Sequence, residues 1–388
     1  MEKNKIIFYT TPAHGHINPA MHIVSSLTKE GYDIIAYSTE EFRSLIEGSG
    51  AEFRLYNTGS IRFDTSVGSE LLIMTKLILQ FTNHALPALL ADADAEQPVL
   101  IMHDTLSLWG KMTADILGIP AVSVNTFITS YNVKSRAFRM YTKNFALSTA
   151  LQFYALHDIK KELRILKRNY GLEKTDMMSL LMNREKLNIF TYPRCMHPDG
   201  DTLGKDCFFP GNPSRLRPLK KGDTLNSDKL IYVSLGTVFN KSLSFYRELF
   251  RDFSKAEFDL LVSCGKNLKR ISLLPHAENI VLTSFANQNE VLKQAKLFIT
   301  AGGMNSLCEA AAAGVPCLIV PQQGEQKISA FMAEKCGLGK ISHGRLFKES
   351  CDTIDNFKRN EETISEFSAV KMNELILLLK TYMKGDIT

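Results

Sequence analysis

Residues 298–326 read FITAGGMNSLCEAAAAGVPCLIVPQQGEQ and hold two strand–turn–helix starts in succession. An apolar run ends at Thr300, Ala301-Gly302-Gly303 turns the chain, and Met304–Ala313 has the composition of a helix. A second apolar run, Cys317–Val320, lies between Pro316 and Pro321 and leads through a polar turn into another helical pattern. Strand ends facing helix starts are where open α/β sheets bind ligands. The unpaired amides of a helix N-terminus favour an anion there.

The same alternation extends along the chain in both directions. Lys5–Tyr9, Asp33–Tyr37, Glu52–Tyr56, Val99–Met102 and Ala121–Val124 read as strands, with helices at Pro19–Glu30, Glu40–Glu47 and Leu106–Leu117. Longer helical stretches follow at Ser135–Ala146 and Leu151–Tyr170. Pro193–Asp228 is rich in proline, glycine and charge without periodicity, and reads as a hinge. From Leu230 the alternation restarts. The expectation is α/β: two halves, each a mainly parallel sheet with helices on both faces. A length of 388 residues suits two domains of roughly 150 to 200 residues better than one core. The expected division is 1–205, a linker at 206–228, a second domain at 229–360 and an amphipathic helical tail at 361–388 packing back toward the first domain.

Composition excludes several classes. Apolar residues make up 45% and charged residues 22%, as in ordinary globular proteins. The formal charge of +5 is too mild to argue for nucleic acid. The locally basic stretch 134–168 reads as a solvated helical face. Seven cysteines without CxxC pairing fit reduced thiols rather than a disulfide framework. The first residues run straight into a strand, with no apolar signal segment and no bilayer-spanning run, so a cytoplasmic location is expected.

Between the first strand and the first expected helix lies Pro12-Ala13-His14-Gly15-His16-Ile17-Asn18-Pro19. A histidine at the carboxyl edge of a sheet can act as a general base near neutral pH. Asp104, just past an apolar strand, should emerge at the same edge. An aspartate accepting from one imidazole nitrogen orients the ring and leaves the other nitrogen to take a proton. No serine nucleophile elbow accompanies the pair, so activation of an incoming hydroxyl suits it better than hydrolase chemistry.

These pieces resemble a known pattern over nearly the whole chain. Pro12–Pro19, Asp104 with Trp109-Gly110, Leu117–Pro120, Tyr232–Thr237, Gly302–Ser306, Glu309, Gly314–Pro316 and Pro321-Gln322 with Glu325-Gln326 occur in family order and spacing. The chain resembles bacterial UDP-glycosyltransferases of the macrolide-glycosyltransferase kind, in glycosyltransferase family 1. The resemblance implies the GT-B fold, two Rossmann-like domains flanking a deep cleft. It implies inverting transfer of glucose from UDP-glucose to a hydroxyl of a macrolide, polyketide, flavonoid or other phenolic acceptor. It also implies no metal or other cofactor, and a monomer or weak homodimer.

By the same resemblance His16 is the base and Asp104 its partner. Thr237, Gly303, Asn305 and Ser306 would meet the diphosphate, and Glu309 the ribose. Phe285 and Gln288 would border the nucleobase, and Glu325 and Gln326 would read the sugar. The acceptor site is expected from Leu71–Leu79 and from Phe127, Tyr131, Phe138 and Tyr141.

Two positions depart from the pattern. Asn287 replaces the usual proline before Gln288, and Ala301 replaces a histidine that touches the diphosphate. An imidazole restored at 301 is expected to tighten donor binding if the local backbone keeps the family's geometry. Ala301 also keeps open a second reading, a catalytically silent GT-B nucleotide-binding or accessory protein; His16 and Asp104 favour the active enzyme.

Overall fold

The computed structural model describes residues 4–59, 71–130, 134–144, 150–171, 182–211, 229–236, 242–358, 361–368 and 370–385. Strands β1 (Lys5–Tyr9), β2 (Asp33–Ser38), β3 (Glu52–Leu55), β4 (Leu100–Asp104), β5 (Ala121–Asn125), β6 (Leu187–Phe190) and β7 (Cys207–Phe208) form one sheet in the order β3-β2-β1-β4-β5-β6-β7. A second sheet takes β8 (Leu230–Ser234), β9 (Asp259–Ser263), β10 (Ile280–Thr283), β11 (Leu297–Thr300), β12 (Cys317–Ile319) and β13 (Gly339–Ile341) in the order β10-β9-β8-β11-β12-β13. All neighbouring strands are parallel. Each sheet is doubly wound, and the strand order reverses between β1 and β4 in one and between β8 and β11 in the other. Those two switch points are where such sheets take ligands.

The chain divides into two compact units. Unit 1 is Met1–Arg194, Asp199–Pro213 and Val370–Thr388; unit 2 is Cys195–Pro198 and Ser214–Ala369. Strands β4, β5 and β11 are buried at every residue, the pattern of parallel strands covered on both faces. On one face of the unit 1 sheet, Ile17, Ile23, Val24 and Leu27 of helix His14–Lys29 pack with Ile6 and Phe8. Leu375, Ile376, Leu379 and Tyr382 of helix Met372–Met383 complete that core. Tyr382 Oη donates to the Ala121 carbonyl at 2.9 Å, and Lys380 pairs with Glu30 at 2.6 Å.

The opposite face carries an aromatic cluster of Tyr9, Tyr37, Tyr56, Phe81 and Trp109. Trp109 Nε1 donates to Tyr56 Oη at 3.0 Å, and Tyr56 Oη donates to the Thr10 carbonyl at 2.9 Å. Helix Leu108–Leu117 lies against β1 and β4 at Gly110, where a Cβ would fall 2.6 Å from His103 Cβ and 3.0 Å from Tyr9 Cβ. Glycine is what this close approach requires. Among the described residues no helix is long and apolar enough to cross a membrane.

The structure differs from the reading of the sequence in three places. The first helix begins at His14 rather than Pro19, so Pro19 sits inside it and both histidines are helical. Its first turn closes on the Ala13 carbonyl, which accepts from His16 N at 2.9 Å and Ile17 N at 3.0 Å. The segment 206–228 opens with β7, paired in parallel with β6, and its residues 212–228 lie outside the described residues. The helical pattern 361–384 is two helices, Glu361–Ser368 in unit 2 and Met372–Met383 in unit 1. Between them Lys371 leaves helical geometry and donates its amide to the Pro210 carbonyl at 2.8 Å.

Candidate active site

At the unit 1 switch point, His16 follows β1 and Asp104 ends β4. His16 Nδ1 stands 2.9 Å from Asp104 Oδ2. The aspartate side chain is 2% exposed and the histidine 18%, so the carboxylate is sealed in while the ring stays within reach. Asp104 Oδ1 accepts from Thr11 Oγ1 at 2.6 Å and from the Leu106 amide at 2.9 Å. Both carboxylate oxygens are therefore committed, which leaves the aspartate one orientation. An N–H at Nδ1 facing Oδ2 leaves the other ring nitrogen, Nε2, with its lone pair for an incoming proton.

Sequence reasoning missed the groups that steady this pair. Thr11 Oγ1 also bonds Ser107 Oγ at 3.1 Å, and Thr126 Oγ1 lies 3.1 Å from His16 Nδ1. Phe127 meets the His16 ring edge-on, with centroids 5.6 Å apart. Behind them the fully buried Asn125 accepts from Thr105 Oγ1 and Thr129 Oγ1, fixing the end of β5. The one available signal was position: Thr11 and Thr126 each stand just past a strand that ends at the same sheet edge. His14 takes no part in the pair; it faces Glu41 at 3.3 Å on the surface.

The unit 2 switch point is framed by the ends of β8 and β11. Gly302 turns the chain at φ 83°, and a Cβ there would lie 2.7 Å from Ile319 Cγ2, so both backbone and packing demand glycine. Gly303 is the N-cap of helix Met304–Ala313 and offers no side-chain cap. The first amides of that helix therefore face a ligand position without a competing cap from its own N-cap residue. Asn305 and Ser306 occupy its first turn. Gln288 Nε2 donates to Ser306 Oγ at 3.2 Å and to Glu309 Oε2 at 2.6 Å, drawing three of the expected donor residues into one cluster. Burial pushes the Glu309 carboxyl up to about 7, against the opposing pull of the Gln288 bond.

Glu325 and Gln326 open helix Gly324–Lys335 beyond β12. Gln326 is buried, and its Oε1 accepts from the Gln322 amide at 2.8 Å, so its amide group is held in one orientation. Phe285 is 80% exposed beside helix Gln288–Leu292. Asn287 serves that helix through its carbonyl, which accepts from Glu290 N and Val291 N at 3.0 Å. Proline has the same carbonyl, so this departure from the pattern costs the turn nothing. Thr237, Tyr131 and the side chain of Tyr141 lie outside the described residues. Leu72 and Leu79, expected near the acceptor, are instead core residues packed with Leu86, Leu108 and Met112. Their helix turns its apolar stripe inward, as helices on a sheet do.

Ala301 is 3% exposed and belongs to the hydrophobic core of unit 2, with Ile299, Leu235 and Leu318. That burial reverses the expectation for an imidazole here. Ala301→His should fail to tighten UDP-glucose binding in calorimetry. It should also lower the stability of the folded chain by about 1–3 kcal/mol in urea unfolding, the usual cost of overpacking.

Two doubly wound parallel sheets, each with its ligand loops at a switch point, make the GT-B fold of two Rossmann-like domains. Residues 229–357 match the glycosyltransferase family 28 C-terminal domain. The NDP-glycosyltransferase YjiC of Bacillus licheniformis is 31% identical over 352 residues, covering 88% of this chain and 85% of that protein. Oleandomycin glycosyltransferase of Streptomyces antibioticus is 26% identical over 345 residues, covering 86% and 78%. The crystal structure of the glycotransferase of kitacinnamycin has a TM-score of 0.81 at 20% identity, over 97% of this chain and 98% of that one. The chain belongs to the bacterial UDP-glycosyltransferase family of macrolide-glycosyltransferase type.

Proposed function

We propose that this enzyme transfers glucose from UDP-glucose, with inversion, to a hydroxyl of a lipophilic small molecule such as a macrolide, polyketide, flavonoid or other phenolic. The observation that carries the reading is the 2.9 Å contact between His16 Nδ1 and Asp104 Oδ2, on an aspartate whose other oxygen is already satisfied. His16 Nε2 takes the acceptor proton as the acceptor oxygen bonds to C1 of the glucose. The bond from C1 to the phosphate oxygen breaks on the opposite face, and UDP departs. Positioning supplies most of such a step. Charge growing on the diphosphate meets the amides of helix Met304–Ala313 with Gly303, Asn305, Ser306 and Thr237, without a metal. Glu309 takes the ribose, Phe285 and Gln288 border the uracil, and Glu325 and Gln326 read the glucose hydroxyls.

Relatives named NDP-glycosyltransferase and oleandomycin glycosyltransferase support a nucleotide-sugar donor and a natural-product acceptor. Modification of an antibiotic or a foreign compound in the cytoplasm, by a monomer or weak homodimer, is the setting this implies. Ala301 favours one rival, a silent nucleotide-binding protein. Isothermal titration calorimetry of the purified chain with UDP-glucose tests the donor, and UDP release on adding a phenolic acceptor separates transfer from silent binding. Saturable binding near one donor per chain is expected; no heat of binding would remove UDP-glucose as the donor.

A further inference from the structure

Seven cysteines scattered along the sequence look unrelated, but two of them meet in unit 2. Cys195 lies in the short turn Arg194–Met196, and Cys336 caps the C-terminus of helix Gly324–Lys335. Although 141 residues apart, Cys336 Sγ donates to the Cys195 carbonyl at 3.5 Å, which brings the two residues side by side. The Cys195 amide donates to Glu366 Oε1 at 3.2 Å, so the Cys195 backbone is held from both sides of its peptide. Both cysteines are half-buried, within reach of a small oxidant.

The other thiols lack this combination. Cys207, Cys264, Cys308 and Cys317 are buried. Cys351 is half-buried, but burial first, then Asp355, Asp352 and Glu257, push its thiol up and away from the reactive thiolate.

We propose that Cys195 and Cys336 are an oxidation site, a dithiol that peroxide converts to a reversible intramolecular disulfide. Neighbouring Cys195 lowers the Cys336 thiol against the opposing effects of burial and Glu366, with Lys335 also lowering it, which makes Cys336 the attacking sulfur. Its thiolate attacks one peroxide oxygen, the O–O bond breaks, and a sulfenic acid forms; the hydroxide released takes up the proton that Cys336 had lost and leaves as water. Cys195, whose thiol is held up by Cys336, burial and Glu366, acts as the resolving sulfur: it attacks the sulfenyl sulfur as its proton passes to the departing hydroxide, which leaves as water. In sum, two thiols and one hydrogen peroxide give one disulfide and two waters. The product fixes the segment Cys195–Pro198 on the end of helix Gly324–Lys335 and closes a long loop, which restricts the unfolded chain.

The test uses the full chain, treated with hydrogen peroxide, alkylated and digested without reductant. The expected result is a loss of two hydrogens in intact mass and a cross-linked peptide containing Cys195 and Cys336. Dithiothreitol should reverse both, and the thermal midpoint of the oxidised form should rise by roughly 5 °C or more. Cys351→Ser should leave the cross-link intact. Cys195→Ser should abolish it and leave a dimedone-reactive sulfenic acid at Cys336. An unlinked wild-type chain, a disulfide through any other thiol, or sulfinic acid at Cys336 in its place would each overturn the assignment. None of these readouts depends on the donor or the acceptor, so the proposed transfer can fail without touching this result.

Discussion

Asp104→Asn is expected to reduce glucosyl transfer by about 10²–10⁴-fold, close to the loss from His16→Ala, while leaving the fold and UDP-glucose binding intact. The reason lies in what holds the aspartate. One carboxylate oxygen faces two donors, the Thr11 hydroxyl and the Leu106 amide, and the backbone amide cannot reverse its polarity. An asparagine must keep its carbonyl oxygen there, which turns its NH2 group toward His16 Nδ1. The imidazole then has to accept at Nδ1 and carry its proton on Nε2, the atom meant to receive the acceptor's proton. UDP release with a simple phenol as acceptor reads the rate, and calorimetry reads donor binding. A variant that keeps wild-type turnover would show that His16 is not oriented in this way.

Glu309→Gln is expected to weaken UDP-glucose binding by about 10- to 100-fold, since hydrogen bonds to a charged acceptor are at the strong end of the range. The wild-type affinity should also tighten as pH rises through about 7, where the buried carboxyl ionises, and the variant should lose that dependence. Stability moves the other way. The folded carboxyl sits near 7 against an ordinary value of 4.5, so between those values the folded chain holds more protons than the unfolded one. The contribution is fully present below 4.5 and is lost as pH rises through about 7. Glu309→Gln should therefore flatten the fall in thermal midpoint between pH 5 and 8. An equally steep fall in the variant would place the titration on another group.

Much of this was legible in the sequence because parallel α/β folds write themselves in short apolar runs punctuated by glycine. Strands β1, β4, β5 and β11 read directly, since burial on both faces leaves no alternation to confuse. Strands β6 and β7 did not, because β6 has four residues at the edge of the proline-rich segment and β7 has two residues within it. The start of the first helix was misplaced for a local reason: proline commonly opens helices, and here it lies a turn inside one. His16 and Asp104 stood out by type and position. Thr11, Ser107 and Thr126 did not, since a threonine or serine past a strand has many uses and only tertiary contact selects this one. The fate of Ala301 was equally hidden, because a missing imidazole reads as a gap until the alanine methyl is found inside the core.

Helix Met372–Met383 has a bearing on how the chain is born. Domains generally fold in order of synthesis, the earlier one first. Here the earlier unit carries a raw apolar face until residues 375–382 arrive to cover it. All of unit 2 is translated before that happens, so a nascent chain waits on the ribosome with its first sheet incomplete. Premature termination anywhere before that helix would release a chain whose larger sheet is left open to aggregation and to proteases.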